Sequence, residues 1–329
     1  MLVLNTALEG VRLGLCYAIL AMALYVSYTV LDFPDLSVEG SFPLGGVVGT
    51  IVLYRLGVPP LVAILFSAAA GVLCGALMGV LHVKCGISKL LSGIIVMTGL
   101  ISVTLALTQV LSDRGGTETF FHYIPKGVHG LFNSRIMEGM TGTPRTLFSI
   151  GVLLLFVLAV KLLLDLFFST KTGYLLRAAG ANGQMVRTLG KDPGNSKILG
   201  LMISGALVGV AGGLYAQMRL QYDNTSGAGK VVIALVAVIM GLSLFGRIPR
   251  LRPTTAVILG AILYSLALCF FTLIDKQGIY LKLFNAAFFA AVLILGEKRL
   301  KLHTGRPKPS DHDQNEAALR AEKEDRSHA

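Results

Sequence analysis

Eight apolar segments long enough to cross a bilayer, near 11–31, 60–82, 89–111, 146–168, 197–218, 230–246, 253–273 and 280–296, follow one another along the chain. Nothing else in the sequence limits the fold as severely. A hydrocarbon core about 30 Å thick takes roughly 20 apolar residues per helical crossing. Inside lipid every backbone polar group must also be bonded within the protein, which leaves helices or a closed barrel. Runs of this length select helices. The expectation is an all-α polytopic membrane protein of about eight spanning helices. Composition agrees, because 54% hydrophobic against 14% charged residues is more apolar sequence than a soluble core of this size hides.

The formal net charge of +11 does not point to nucleic acid. The basic residues sit in short loops between apolar runs, the pattern that marks cytoplasmic loops. The island Ser169 to Lys197 holds five Lys or Arg and one acid, so it reads as cytoplasmic. Two further basic clusters fall on the same side by parity: Arg247 to Arg252, and Lys298, Arg299, Lys301, Arg306 and Lys308. Working backwards, 112–145 is external, His82 to Lys89 internal and Arg55 to Pro60 external. The apolar 112–145 segment is expected to pack as short interfacial helices that offer a docking surface. Residues 1–302 form the membrane domain. The polar tail 303–329 is expected to be disordered and cytoplasmic.

A ninth apolar stretch, 41–54, is short and follows LDFPDLSVEGSFPLGG, residues 31–46, with two prolines and three acids. This is the broken or re-entrant segment of the architecture. If 41–54 turns back, both termini lie inside; if it crosses, the N-terminus lies outside. The first is preferred, because proline-broken backbone at membrane depth is tolerated where it is buried or lines a cavity. Pro34 and Pro43 interrupt backbone hydrogen bonding, while Asp32, Asp35, Ser37, Glu39 and Ser41, with Gly40 between them, offer polar contacts. The segment reads either as a pathway lining or gate, or as a surface loop with an unusual turn.

The basic island carries Tyr174, Leu175, Met185, Val186 and Leu189 among its charges, so it can present apolar knobs to a soluble partner. The alternative is a solvated positive loop that only sets topology. Two glycine ladders, Gly71, Gly75 and Gly79, and Gly205, Gly209 and Gly213, each put small residues on one helical face. Packing within one subunit is preferred over a dimer seam or pore lining.

Enzyme chemistry finds no support. The run SGAGKVV around Lys230 resembles the end of a phosphate loop. Val231, however, replaces the magnesium-binding Ser or Thr, and no glycine precedes at the needed spacing. The cysteines Cys16, Cys74, Cys85 and Cys269 are scattered, and the histidines lie in loops or the tail, so no metal or cofactor site is legible. Two charge pairs within spans, Glu9 with Arg12 and Lys161 with Asp165, read as local pairing near helix ends.

Two stretches carry a family resemblance. Residues 31–46 resemble the N-terminal signature of bacterial ABC-importer permeases of the tryptophan/tyrosine-type, or otherwise uncharacterised, amino-acid permease subgroup. TGYLLRAAGANGQMVRTLG, residues 172–190, resembles the cytoplasmic loop shared by branched-chain amino-acid and ribose-type permeases. The matching positions are Gly173, Leu176, Arg177, Ala178, Gly180, Asn182, Met185, Arg187, Leu189 and Gly190. The loop departs at Ala181, Gly183 and Gln184, where relatives commonly carry acids, and at Val186, where alanine is usual.

The resemblance implies a type II-like ABC importer transmembrane domain in a bacterial inner membrane, with the C-terminus cytoplasmic. It implies a pair of these chains in the lipid, two ATPase subunits, an external binding protein and a small solute such as an amino acid. The loop 172–190 would then be the ATPase-coupling element, with Leu176, Met185 and Leu189 giving apolar contact and Arg177 and Arg187 pairing with acids. A secondary transporter or channel working alone, and a non-transport membrane scaffold, are the alternatives.

Overall fold

The structure, a computed structural model, describes residues 2–111, 121–123, 130–132, 143–188, 190–219, 221–246, 248, 251–274 and 280–304. Among them are eleven α-helices and one short β-ribbon. Helix α1 (Leu2–Leu24) passes into a π-helical turn, Tyr25–Val30, followed by α2 (Val38–Arg55), α3 (Pro60–Val83) and α4 (Lys89–Leu111). Then come β1 (Phe121–Tyr123), α5 (Thr143–Ser169), α6 (Lys171–Ala181), α7 (Gly183–Thr188) and α8 (Pro193–Arg219). β2 (Gln221–Asp223), a 3-10 turn over Asn224–Gly227, α9 (Lys230–Phe245), α10 (Pro253–Ile274) and α11 (Leu281–Thr304) complete the order. Among the described residues, seven spans are long and apolar enough to cross a membrane: Val3–Val30, Pro60–Val83, Lys89–Gln109, Thr143–Ser169, Pro193–Arg219, Thr225–Phe245 and Pro253–Leu273. The eighth apolar segment is in α11, whose apolar stretch Leu283–Ile294 is shorter.

The centre of the bundle is a seam of small residues on α2, α3 and α8. A Cβ on Gly71 would meet the carbonyl of Gly205, and one on Gly205 the carbonyl of Gly71. Gly75 faces Leu201 in the same way, Gly209 the carbonyl of Ser67, and Gly45 lies against Gly209. The two ladders therefore face each other inside one chain, and the packing reading holds. Without side chains the backbones come close enough for extensive van der Waals contact, which is what holds helices together in lipid. Ser67 ties the third helix in, its hydroxyl donating to Gly45 O at 2.8 Å and to Ala63 O at 3.1 Å. Away from the seam, Leu65 and Leu73 of α3, Ile95 of α4, and Leu155 and Leu163 of α5 are exposed, as a lipid-facing surface requires.

Helix directions follow from pairwise contacts. Ser204 Oγ donates to Ala23 O at 3.0 Å, and the Cys16 thiol lies 3.8 Å from Ala211 O, so α1 and α8 are antiparallel. The ladder contacts make α8 and α3 antiparallel too, with Gly79 on Ile198 and Gly71 on Gly205. Thus α1 and α3 run the same way. The start of α1 lies at the same end of the bundle as Pro60, opposite the basic island. This corrects the preference for a re-entrant 41–54. The reason is that α2 is one unbroken helix of 18 residues, about 27 Å long, which completes the crossing that the extended residues after Val30 begin.

The basic end is fastened by Asp165. Its carboxylate accepts from Lys161 Nζ at 3.2 Å, from Thr254 Oγ1 at 2.8 Å and pairs with Arg252 at 3.0 Å. The expected Lys161–Asp165 pair exists, and it also staples α5 to the start of α10. Glu9 and Arg12 pair at 3.1 Å as read from their spacing. Asp165→Ala removes three charge-assisted contacts from a side chain only 7% exposed. It should lower stability by roughly 2 kcal/mol, measured as a drop in the thermal midpoint in detergent, while Glu9→Ala at a 41% exposed position should leave that midpoint nearly unchanged.

The segment 112–145 departs from the expectation of short interfacial helices where it is described. Residues 121–123 form a strand antiparallel to 221–223, with His122 opposite Tyr222. Gln217 secures the nearby backbone, accepting from Leu131 N at 3.2 Å and donating to Pro60 O at 3.3 Å. Strand pairing satisfies the backbone of two distant segments at once, which local helical turns would not do. The rest of 112–142, and the tail from 305 onward, lie outside the described residues; α11 continues as helix through Thr304.

Candidate functional site

Two places bring polar chemistry to the bundle, one at its basic end and one at membrane depth. The basic end starts from the close of α1. Ser27 Oγ donates back to Ala23 O at 3.5 Å and Leu24 O at 3.4 Å, competing with the helical ladder. The chain widens to π geometry there. Asp32 then takes a left-handed φ of 51°, and Lys89 Nζ holds the turn by donating to Asp32 O at 2.6 Å and Asp32 Oδ2 at 3.1 Å.

Against this turn lies the basic loop of the sequence, folded as two helices, α6 and α7. Thr170 caps α6 by accepting from Gly173 N at 3.2 Å. The Asn182 side-chain Oδ1 caps α7, accepting from Gln184 N at 3.0 Å and Met185 N at 3.3 Å. Gly173 packs on the Phe167 carbonyl and Gly180 on the Val30 carbonyl, which presses α6 onto α5 and the π turn. Gly190 provides the left-handed turn, φ 69°, that leads to α8.

Burial divides the expected contact residues. Leu176 is fully buried and Val186 likewise, whereas Tyr174 and Met185 are 61% and 59% exposed. Leu176 therefore anchors α6 to the bundle and is unavailable to a partner, a correction to its expected contact role. Its side chain reaches Gly200, where no Cβ stands in the way. Arg177 is exposed with its guanidinium 4.7 Å from the Phe168 ring centroid, and Arg187 is exposed on α7. Leu189 lies outside the described residues. Between the π turn and α6 is an open groove of about 480 Å³ lined by Tyr25, Thr29, Val30, Asp32, Arg177, Gly180 and Ala181.

The segment read as a pathway lining is divided in the same way. Asp32 and Pro34 are exposed at the basic end, while Asp35, Ser37, Gly40, Ser41 and Pro43 are buried. Asp35 is satisfied by its own turn, accepting from Ser37 N at 2.9 Å and Ser37 Oγ at 2.6 Å. Ser41 Oγ donates to Ser37 O at 2.9 Å. Gly40 gives α2 its close approach to Leu100 and Met97 of α4. Pro43 sits inside α2 without an N–H, so the Glu39 carbonyl has no helical partner. Gly227 packs directly on that carbonyl, where a Cβ could not fit.

Glu39 leads to residues that sequence reasoning missed. Its Oε1 accepts from Gly229 N at 3.0 Å, which places a carboxylate at the start of α9, the favourable end of the helix dipole. The next residue, Lys230, is 8% exposed. Its ammonium donates to Tyr17 Oη at 2.8 Å. It stands 4.6, 5.0 and 5.5 Å from the ring centroids of Tyr17, Tyr215 and Phe42. Tyr17 is near the middle of the span Val3–Val30, so a lysine is held at membrane depth in an aromatic cage. The sequence put Lys230 at the edge of an apolar run, where lysines normally reach for the interface. The one available signal was Lys following the helix-breaking Gly227–Ala228–Gly229.

A polytopic helical bundle with a glycine seam, a polar broken segment and a charged group at depth defines an integral membrane protein of the solute-handling kind. The chain belongs to the family described as "Branched-chain amino acid transport system / permease component", which it matches over residues 6–295. It is 36% identical over 291 residues to the tyrosine transport system permease protein of Clostridioides difficile, covering 88% of this chain and 90% of that protein. A probable branched-chain amino acid transport permease of Methanocaldococcus jannaschii is 27% identical over 227 residues, 68% of this chain and 70% of that one. A nucleoside ABC transporter permease of Lactococcus lactis is 28% identical over 183 residues, 55% and 56% of the two chains. No solved structure matches the chain.

Proposed function

We propose that this chain is the transmembrane subunit of an ATP-driven importer, working as a pair with two separate ATPase subunits and an external binding protein. The carrying observation is the basic two-helix element. Gly173, Leu176, Gly180 and Val186 fasten it to the bundle, while Tyr174, Met185 and Arg187 face outward from it. A part that is rigidly tied to α1, α5 and α8 and exposes apolar and cationic side chains suits the transmission of force from a soluble motor. Its basic face lies on the cytoplasmic side by the charge rule, which puts the start of α1 outside. The solute is proposed to be an amino acid, in keeping with the tyrosine permease to which the chain is similar. The membrane is the bacterial inner membrane.

The reading is tested by co-expression with the cognate ATPase. Mass analysis in detergent should give a complex with two copies of this chain, as a symmetric pair enclosing a central path requires. A stable transporting unit with one copy overturns it.

The buried part of the broken segment is proposed to gate the path. Ser41→Cys should be unreactive in the resting protein, given that Ser41 is 2% exposed, and should be labelled by water-soluble reagents during ATP turnover. Pro34→Cys should react in both conditions. Ser41→Cys labelling that never changes with nucleotide assigns the segment a structural role alone.

A further inference from the structure

Among the described residues Lys230 has no anionic partner: it forms no ion pair with a carboxylate, and its contacts are one phenol and three ring faces. A charge taken out of water costs several kcal/mol unless it is paired, and ionisable groups inside a membrane mark functional sites. Cation–π contact offsets part of that cost and leaves the charge available to an anion.

The surroundings show from which side an anion would come. Gly229 has φ 76° and no atom within 4 Å of the place a Cβ would occupy. Thr225 and Ala228 beside it are exposed. This irregular backbone stands level with Pro43 of α2, against which Gly227 packs. Non-helical backbone at that depth does not face lipid; it lines a water-filled cavity or meets protein. On the same edge stands the half-buried Glu39 carboxylate, bonded to Gly229 N. Glu39 is thus bonded to the residue that precedes Lys230, while the Lys230 ammonium is buried in its cage and does not pair with it.

We propose that Lys230 and Glu39 form a recognition point for an α-amino acid within the pathway, a reading that rests on the importer function above. Lys230 receives the carboxylate, leaving its cage as the solute passes. Glu39 receives the ammonium group. The faces of Tyr17, Phe42 and Tyr215, vacated by the lysine, accept an apolar or aromatic side chain.

The test uses the full chain in lipid nanodiscs with Ala228→Cys in a Cys85→Ser background, Cys85 being the exposed native thiol. Labelling of the new thiol by a water-soluble maleimide is timed with L-tyrosine or L-leucine, and with the matching amines tyramine and isoamylamine. At least one amino acid should slow labelling by about tenfold, the scale of a charged hydrogen bond, and its amine should not. Lys230→Arg should keep this protection and Lys230→Met should abolish it. A Lys230→Met chain that fails to fold removes only that arm, because the comparison of acid with amine uses the native lysine. Equal protection by the amines, protection that survives Lys230→Met, or no protection by either amino acid overturns the site. The readout needs neither ATP nor partners. ATP-driven uptake without protection therefore rejects this site alone, and protection without uptake rejects the importer reading alone.

Discussion

Gly205→Leu should yield no folded protein: size-exclusion in detergent is expected to show aggregate where the native chain gives a single peak. The added side chain would start inside the carbonyl of Gly71 and crowd Gly75 N at 3.1 Å. Neither neighbour is a flexible side chain that can turn away. Overpacking an ordinary core costs about 1–3 kcal/mol. Here the obstacle is backbone, so α3 and α8 must separate along the whole ladder, and in lipid no hydrophobic force draws them back. Gly99→Leu and Gly151→Leu are the controls, since both glycines are exposed and nothing lies within 4 Å of their Cβ positions. They should purify as the native chain does. A well-folded Gly205→Leu would show that the seam does not hold the bundle.

The second large effect is functional. Met185→Glu with Arg187→Glu should lower solute-stimulated ATP hydrolysis and uptake at least tenfold, in line with the loss of an apolar anchor and a charge pair at an interface centre. Folding should be unaffected. Both side chains are exposed, while the contacts that seat the element, Gly173 on Phe167, Gly180 on Val30 and Leu176 on Gly200, are untouched. Native hydrolysis and uptake in this variant would reduce the loop to a topology signal.

Element existence was legible wherever length and composition decide it. Among the described residues, seven of the eight apolar runs lie in helices long and apolar enough to cross a membrane, because roughly 20 apolar residues have no other use in a chain like this. The ladders were legible as small faces from their spacing, but which faces meet depends on the path of α2. That path turned on whether Pro43 breaks a helix. It does not, since it stands in the second turn of α2 and Gly227 covers the carbonyl it leaves free. The β-ribbon could not be read, being three residues from each of two segments about a hundred positions apart.

The candidate sites show the same division between local and distant information. Arg187 and Met185 were legible as outward-facing residues because the basic loop is local, and both are exposed. Leu176 was assigned to the wrong side because an eleven-residue amphipathic helix does not declare which of its apolar residues faces inward. Lys230 was weighed in the sequence only as part of a failed phosphate loop, because its cage is assembled from Tyr17, Phe42 and Tyr215 on three other helices. Each of those aromatics alone reads as ordinary apolar filling.

This chain is expected to move solute only when a separate motor drives it. The direct measurement is uptake of labelled L-tyrosine into proteoliposomes holding this chain with its ATPase, with binding protein added outside and ATP inside. Uptake should require ATP, the ATPase and the binding protein together, and stop when any one is left out. Equal uptake by this chain alone, without nucleotide, would contradict the account and make it a stand-alone transporter or channel.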